Sequence, residues 1–327
     1  MPDDTTPDES IPAELQPRPQ DYPFDLDRTL GAVVGIRAHV PDDAFTAAGL
    51  GTERVGSGVV IDKSGLILTI GYLIIEAETI WLTTADGRAL PGHALAYDGE
   101  TGLGLVQALG RLGLPALELG DSSDLAINEA VILAAAGGRP QAVKARLVGR
   151  QYFAGYWEYL IEDALYTAPH HPNFGGAALL DREGRLVGIG SLILQQQVEE
   201  ARALSLNMVV PIDVLKPILG ALRSLGRADR AARPWLGLYA NEQQDEVVVH
   251  GLAEGGPAQR AGVQLGDRIL AVDDAPVADL RELWLGVWAA GPAGVTVKLQ
   301  IGRGRERFDL AVTSADRARF LRSPSLQ

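Results

Sequence analysis

The sequence predicts a mainly β protein of two folded domains, and three observations predict it. Between about residues 28 and 210, short β-branched and apolar runs are broken repeatedly by Gly, Asp and Pro. A second stretch, from about 234 to 315, mixes strand-like runs with one helical apolar stripe. A polar, basic segment, Gly226 to Arg233 (GRADRAAR), separates the two as a linker. The 327 residues are enough for two compact domains with tails.

The elements follow in order. Residues 1–27 are rich in Pro, Asp and Glu, without apolar periodicity, and are expected to form a disordered acidic tail whose only aromatics are Tyr22 and Phe24. In 28–210 the runs Val33–Val40, Gly56–Ile61, Leu66–Thr69, Ile80–Thr84, Ala130–Ala136 and Leu186–Leu194 read as strands. Turn signals such as Asp62-Lys63-Ser64-Gly65 and Asp181-Arg182-Glu183-Gly184 lie between them, a pattern of barrels or sandwiches. In 211–233, Pro211 opens a helical stripe running to Leu225, with Pro217 as a kink, before the linker. In 234–315, Trp235–Tyr239, Glu246–Val249, Asp267–Val272, Val295–Ile301 and Arg307–Val312 read as strands and Ala258–Ala261 as a short helix. Leu280, Leu283, Trp284, Val287 and Trp288 follow helical spacing. Residues 316–327 are expected to be a tail.

Composition excludes several functions. There is no cysteine, which removes disulfides, thiolate catalysis and zinc–thiolate sites. The five histidines (His39, His93, His170, His171, His250) never take a zinc-binding spacing, so no metal or other cofactor is expected. A net charge of −13 opposes nucleic acid and anionic membranes as partners. No run approaches the apolar length of a membrane span, and the amino terminus shows no export or lipidation signal, so a cytoplasmic location is expected.

Several motifs then point one way. Gly56-Ser57-Gly58-Val59-Val60-Ile61, Gly65-Leu66-Ile67-Leu68-Thr69 and Asp86-Gly87-Arg88 resemble the first barrel of HtrA/Deg-type serine proteases. Leu114-Pro115, Leu119-Gly120-Asp121-Ser122, the stretch Asn173 to Gly176 with Leu179, Gly184 with Val187-Gly188-Ile189, and Val209-Val210-Pro211 match later stretches of that family in the same order. The resemblance covers about 31 to 315. It implies a trypsin-like pair of six-stranded β-barrels over 28–210, followed by a PDZ domain, a β-sandwich with two helices, over 234–315.

The resemblance also assigns the catalytic positions, and here the sequence departs from the family. Tyr72 stands where the family has its histidine base, Gly102 where it has the aspartate, and Phe174 where it has the nucleophilic serine. A phenol is a poor base near neutral pH, and a benzyl group has no nucleophilic atom. Pro172 further restricts the backbone before the oxyanion turn. The chain is therefore expected to be no enzyme, with no catalytic residue. His170 and His171 lie just upstream. They read either as loop residues or as a base or metal ligand acting with Ser191 or Tyr72. Tyr72 and Phe174 read either as filling for the vacated cleft or as an aromatic patch for a partner.

Pro234-Trp235-Leu236-Gly237-Leu238 resembles the carboxylate-binding loop of HtrA-type PDZ domains. Gly255-Gly256-Pro257-Ala258, Ala261-Gly262-Val263 and Gly266 through Val272 match the body of that domain. Successive N–H groups at Leu236 to Leu238 can form a nest for a terminal carboxylate, with an extended peptide added along the edge Leu238–Ala240. Trp284 or Val287 would line the far wall, with Gly286 giving room, and Trp235 either touches peptide or caps the core. The peptide-binding residues are thus expected to be Trp235, Leu236, Gly237, Leu238, Trp284 and Val287. The expected function is that of a pseudoprotease binding protein or peptide C-termini as a scaffold or regulatory subunit. A homo-trimer or hetero-oligomer with related subunits is expected from the family. The alternatives are a hydrolase with an unconventional site and a structural subunit of a larger complex.

Overall fold

The computed structural model describes residues 11–199 and 202–322. The described chain divides into two compact units, one formed by the segments up to Gln151 and Asp163–Asp229, the other by Tyr152–Glu162 and Arg230–Arg322.

The first unit holds two closed barrels. After α1 (Leu26–Leu30), whose first turn is capped by the Asp25 carboxylate accepting from the Arg28 amide at 3.1 Å, come β1 (Val33–His39), α2 (Ala47–Leu50), β2 (Glu53–Asp62), β3 (Leu66–Ile70), β4 (Thr79–Thr83), β5 (Ala89–Tyr97) and β6 (Leu103–Ala108). They close in the order β1-β2-β3-β6-β5-β4 with every pairing antiparallel. β4 alternates exposed and buried residues, whereas β3 is buried throughout. The β2–β3 turn is set by Asp62, whose carboxylate accepts from the Ser64 amide at 2.8 Å.

The second barrel is β7 (Ala130–Ala134), β8 (Ala142–Gly155), β9 (Tyr159–Ala168), β10 (Ala178–Leu180), β11 (Leu186–Glu199) and β12 (Arg202–Pro211), closed as β10-β11-β12-β9-β8-β7. Leu133, Val143, Leu147, Leu165, Leu179 and Val187 fill it, each such side chain contributing about 1.5–3 kcal/mol on burial. The tip of the β8–β9 hairpin, Tyr152–Glu162, belongs to the second unit, although the sequence assigned all of 28–210 to the first domain.

Two expectations for the flanks of this unit are corrected. Residues 1–10 of the expected acidic tail lie outside the described residues, but 11–27 are ordered. Ile11 is buried in the second barrel's core with Leu15 against it, the Leu15 carbonyl accepts from the Lys144 amide at 2.7 Å, and Leu26 is fully buried. A few apolar anchors suffice to order a segment whose average composition is polar. The stripe after Pro211 is also not one helix. A 3-10 turn at Ile212–Val214 is followed by α3 (Leu219–Leu225), because Pro217 cannot donate and disfavours a helical residue before it.

The second unit is a sheet of β13 (Leu238–Gln243), β14 (Glu246–Leu252), β15 (Arg268–Val272), β16 (Ala275–Pro276), β17 (Thr296–Arg303) and β18 (Glu306–Thr313). The order is β13-β14-β15-β17-β18, with β16 on β15. Two helices, α4 (Pro257–Arg260) and α5 (Leu280–Ala289), complete it. The start of α5 is a reciprocal cap: Asp279 accepts from the Glu282 amide at 2.7 Å and Glu282 from the Ala278 amide at 2.8 Å. Asp267 is fully buried, accepting from the Gln264 amide and from Arg303 at 2.7 Å, which explains an acid in an otherwise apolar run. Of the expected carboxy-terminal tail, 323–327 lie outside the described residues, whereas 316–322 are ordered. There a 3-10 turn at Arg317–Phe320 sets Phe320 4.7 Å from the Trp235 ring.

Candidate active-site crevice and peptide groove

In the first unit the three positions assigned to the triad are neighbours. Tyr72 sits on the 3-10 turn after β3, and its hydroxyl donates to the Ser191 carbonyl at 2.9 Å. Burial pushes the phenol well above its ordinary pKa, so it stays a donor and holds its proton. Its main chain is held from behind by buried Arg54, which donates to the Tyr72 carbonyl at 2.9 Å and the Ile75 carbonyl at 3.0 Å. Arg54 also donates to the Thr46 hydroxyl, which itself donates to Glu76 at 2.6 Å. Gly102 lies one hydrogen bond away from this turn, its carbonyl accepting from the Gly71 amide at 2.6 Å. Its φ of 74° is a conformation in which a side chain is strained, so the turn itself favours glycine here.

Phe174 is half-buried on the loop before β10, and its carbonyl accepts from the Ala177 amide at 3.0 Å. The loop packs tightly on β2: the Gly175 carbonyl accepts from the Ser57 amide at 2.8 Å. A Cβ on Gly175 would meet the Tyr72 hydroxyl at 2.9 Å, and one on Gly176 would meet the Ser57 carbonyl at 1.8 Å. Phe174 offers no nucleophilic atom, so a peptidase reaction in this chain would have to use other groups.

His171 is held as a structural residue. Its Nδ1 accepts from the Asn173 amide at 3.0 Å, leaving Nε2 to donate to the Gln141 carbonyl at 3.0 Å, and burial lowers its pKa toward the neutral ring. Asn207 brackets its main chain, accepting from the amide at 2.6 Å and donating to the carbonyl at 3.1 Å. Both ring nitrogens are thus used, which answers the expectation of a base or ligand here. Adjacent His170 is exposed.

The second unit contains the clearest binding geometry. The amides of Leu236, Gly237 and Leu238 all donate to one carboxylate, that of Glu158. The shortest distances are 3.0, 2.6 and 3.2 Å respectively. Gly237, at φ 73°, turns the loop so that the three N–H groups converge. β13 is the edge strand, and its Ala240 amide donates to the Tyr156 carbonyl at 3.1 Å. From α5, the buried Trp284 indole donates to the Gly155 carbonyl at 2.9 Å. Burial pushes the Glu158 carboxyl up to about 7, while the three amides and the Arg317 charge pull the other way.

Each expected groove residue can now be placed. Leu236 and Leu238 are fully buried and contribute amides, Gly237 contributes an amide and the turn, and Trp284 touches the occupant. Val287 lies wholly in the hydrophobic core. Trp235 packs on Phe320 and pairs with Ala315, and so caps the core. Gly286 faces the sheet: a Cβ there would lie 3.1 Å from that of Val272. The edge expected to receive a foreign peptide is occupied by Gly155–Glu158 of the same chain. Sequence reasoning missed these residues. The available signal was aromatic density, with Tyr152, Phe153, Tyr156, Trp157 and Tyr159 within eight positions.

Two barrels closed in this order, with a carboxylate-binding sheet edge behind them in sequence, define a trypsin-like peptidase domain followed by a PDZ domain. Family comparison agrees: a model described as "Trypsin-like peptidase domain" matches residues 56–189, and one described as "PDZ domain" matches 234–313. The named relatives are HtrA-type serine proteases. HhoA of Synechocystis, whose name assigns it to the serine proteases, is 29% identical over 296 residues, covering 83% of this chain and 72% of that protein. PepD of Mycobacterium tuberculosis, a serine protease, is 29% identical over 298 residues, covering 82% and 62%. A DegP-like periplasmic serine endoprotease of Pseudomonas putida is 27% identical over 277 residues, covering 80% and 56%. The chain thus spans little more than half of the DegP-like relative. The solved structure "HtrA-type protease AlgW with decapeptide" shares the fold, with a TM-score of 0.54 at 20% identity, covering 92% of this chain and 98% of that one.

These relatives correct one expectation. The chain was expected, from Tyr72, Gly102 and Phe174, to be no enzyme. The proteins it resembles carry serine protease names, and the comparison points to protease activity. The expectation rested on the side chains at these three positions and on Pro172 before the oxyanion turn.

Proposed function

We propose that this chain is an HtrA-type protein that recognises protein or peptide C-termini through its PDZ groove and acts as a scaffold or regulatory subunit. The observation that carries the reading is the convergence of the Leu236, Gly237 and Leu238 amides on a single carboxylate. A free C-terminus presents the same two oxygens to the same three donors, and β13 offers a sheet edge for the preceding residues. That AlgW was solved with a decapeptide supports the reading by fold. In this reading Tyr72, Gly102 and Phe174 occupy the base, acid and nucleophile positions of the barrel pair, and the subunits assemble as a trimer or with related chains. A fluorescent decapeptide ending in valine tests it by anisotropy: the free acid binds at least about tenfold more tightly than its amide. Equal affinity of the two refutes it.

A second reading, peptide hydrolysis, is favoured by the names of the relatives. Release of acid-soluble peptides from casein by the purified chain, in proportion to its concentration, is the measurement that carries it.

A further inference from the structure

The turn joining β8 to β9 has a composition that local chemistry does not favour. Three residues, Tyr156, Trp157 and Glu158, make the turn, and Glu158 closes it at φ 59°. In three-residue hairpin loops the closing left-handed position is the natural place for glycine. A glutamate there is held by what its side chain reaches, namely the amides of a loop 78 to 80 residues further along the chain.

The rest of the tip also contacts the groove. The Tyr156 carbonyl, two residues before Glu158, takes the Ala240 amide of the edge strand, and the Gly155 carbonyl takes the Trp284 indole from the opposite wall. Ala154 packs on the apolar core of the sheet. Tyr156 lies edge-on to His250 at 5.2 Å and to Tyr239 at 6.2 Å. At the far end Arg281 of α5 pairs with Glu162 at 3.1 Å and lies 5.4 Å over the Tyr152 ring. A main-chain hydrogen bond to a sheet edge, a carboxylate in an amide nest and side chains against the adjoining helix are contacts that strand-addition recognition also uses.

We propose that hairpin tip 152–162 is a built-in ligand of the PDZ groove, with the Glu158 side chain standing in for a terminal carboxylate, so that foreign C-termini bind only by displacing it. This rests on the reading of the groove as a C-terminus receptor. The occupant is a segment of this chain, and the competing partner is any peptide with a free carboxylate and an extended backbone before it. A site whose competent state is rarely open shows its intrinsic affinity divided by the closed-to-open ratio.

The experiment uses the full chain, wild type beside E158A and E158G. The alanine removes the carboxyl group and keeps a Cβ in the turn. The glycine suits the turn's left-handed residue and removes the side chain, so it folds even if the alanine variant does not. Two quantities are read: affinity for the free-acid decapeptide ending in valine, and hydrogen-exchange protection of the Leu236, Gly237 and Leu238 amides without peptide. Both variants are expected to bind the peptide at least about tenfold more tightly than wild type and to lose protection at the three amides. Peptide affinity equal in all three proteins overturns the self-occupied groove while leaving the receptor reading in place. If none binds the peptide, the receptor reading fails. Protection at the three amides then decides self-occupancy alone: its loss in the variants supports the proposal, and its persistence overturns it.

Discussion

Raising the pH from 5 to 8 should loosen the hairpin tip from its groove, and the structure sets both the sign and the size. The Glu158 carboxyl is pushed from 4.5 up to about 7 when docked, mainly by loss of solvent. Because the docked form holds its proton more tightly than the free form, docking is strongest below 4.5. It weakens as pH rises toward 7 and is constant above. The charged or titratable groups facing the carboxylate are Arg317 after β18 and Tyr239 on β13, and Tyr239, whose pKa burial raises, keeps its proton throughout this range. At about 1.4 kcal/mol per decade of proton concentration, the full rise corresponds to about 3 kcal/mol. Glu158 keeps part of its surface in water, so about 1–2 kcal/mol, roughly five- to thirtyfold in the docking equilibrium, is the expected observable. Hydrogen exchange at Leu236, Gly237 and Leu238, corrected for the intrinsic pH dependence of amide exchange, reads it directly. Protection that is unchanged or higher at pH 8, or that falls equally in E158Q, refutes the reasoning.

Three further outcomes follow from the packing. Gly176→Ala places a Cβ where the Ser57 carbonyl lies 1.8 Å away and strains a φ of 75°; a loss of more than about 3 kcal/mol in urea denaturation is expected, and less than about 1 kcal/mol contradicts the close approach. Glu76→Gln removes the carboxylate from a buried cluster with Thr46 and Arg54, leaving the guanidinium uncompensated behind Tyr72; a loss of about 2–4 kcal/mol, again by urea, is expected. Trp284→Phe deletes the indole donor to Gly155; faster exchange of the hairpin-tip amides, by about fivefold for a bond contributing about 1 kcal/mol, is expected, and unchanged exchange argues that the tip is held elsewhere.

The fold was legible in the sequence because its strongest signals are local. The Asp62 and Asp181 turns, the stripe from Leu280 to Trp288 and the Gly266-Asp267 step each encode their geometry within a few residues, and each stands in the structure. What was not legible is non-local. Ile11 and Leu15 order a segment of acidic composition because a barrel core lies beside them, a contact invisible in a polar window. Pro217, expected to kink one helical stripe, instead separates a 3-10 turn from the helix that follows. The amide nest at Leu236–Leu238 was expected to take a terminal carboxylate, and the structure sets the Glu158 carboxylate on those three amides. Its occupant was missed because a glutamate in a hairpin turn carries no mark of where its side chain goes. The expectation of no enzyme failed for a different reason, because three positions were weighed more heavily than the domain around them.

Tethering explains why one carboxylate can govern the whole groove. The tip is carried on β8 and β9, so its docking costs none of the translational freedom that a foreign peptide loses, and its effective concentration is of millimolar order or higher. A peptide present at micromolar concentration therefore competes only if the tip's own contacts are modest, and the left-handed Glu158 ensures that they are. A non-glycine residue there costs the turn about 1–2 kcal/mol, which offsets part of what the amides return. E158G separates the two effects. It relieves the turn and removes the ligand group, so the protein should keep its thermal midpoint while its three loop amides lose their protection. A fall in both together would mean that Glu158 serves the fold rather than the groove.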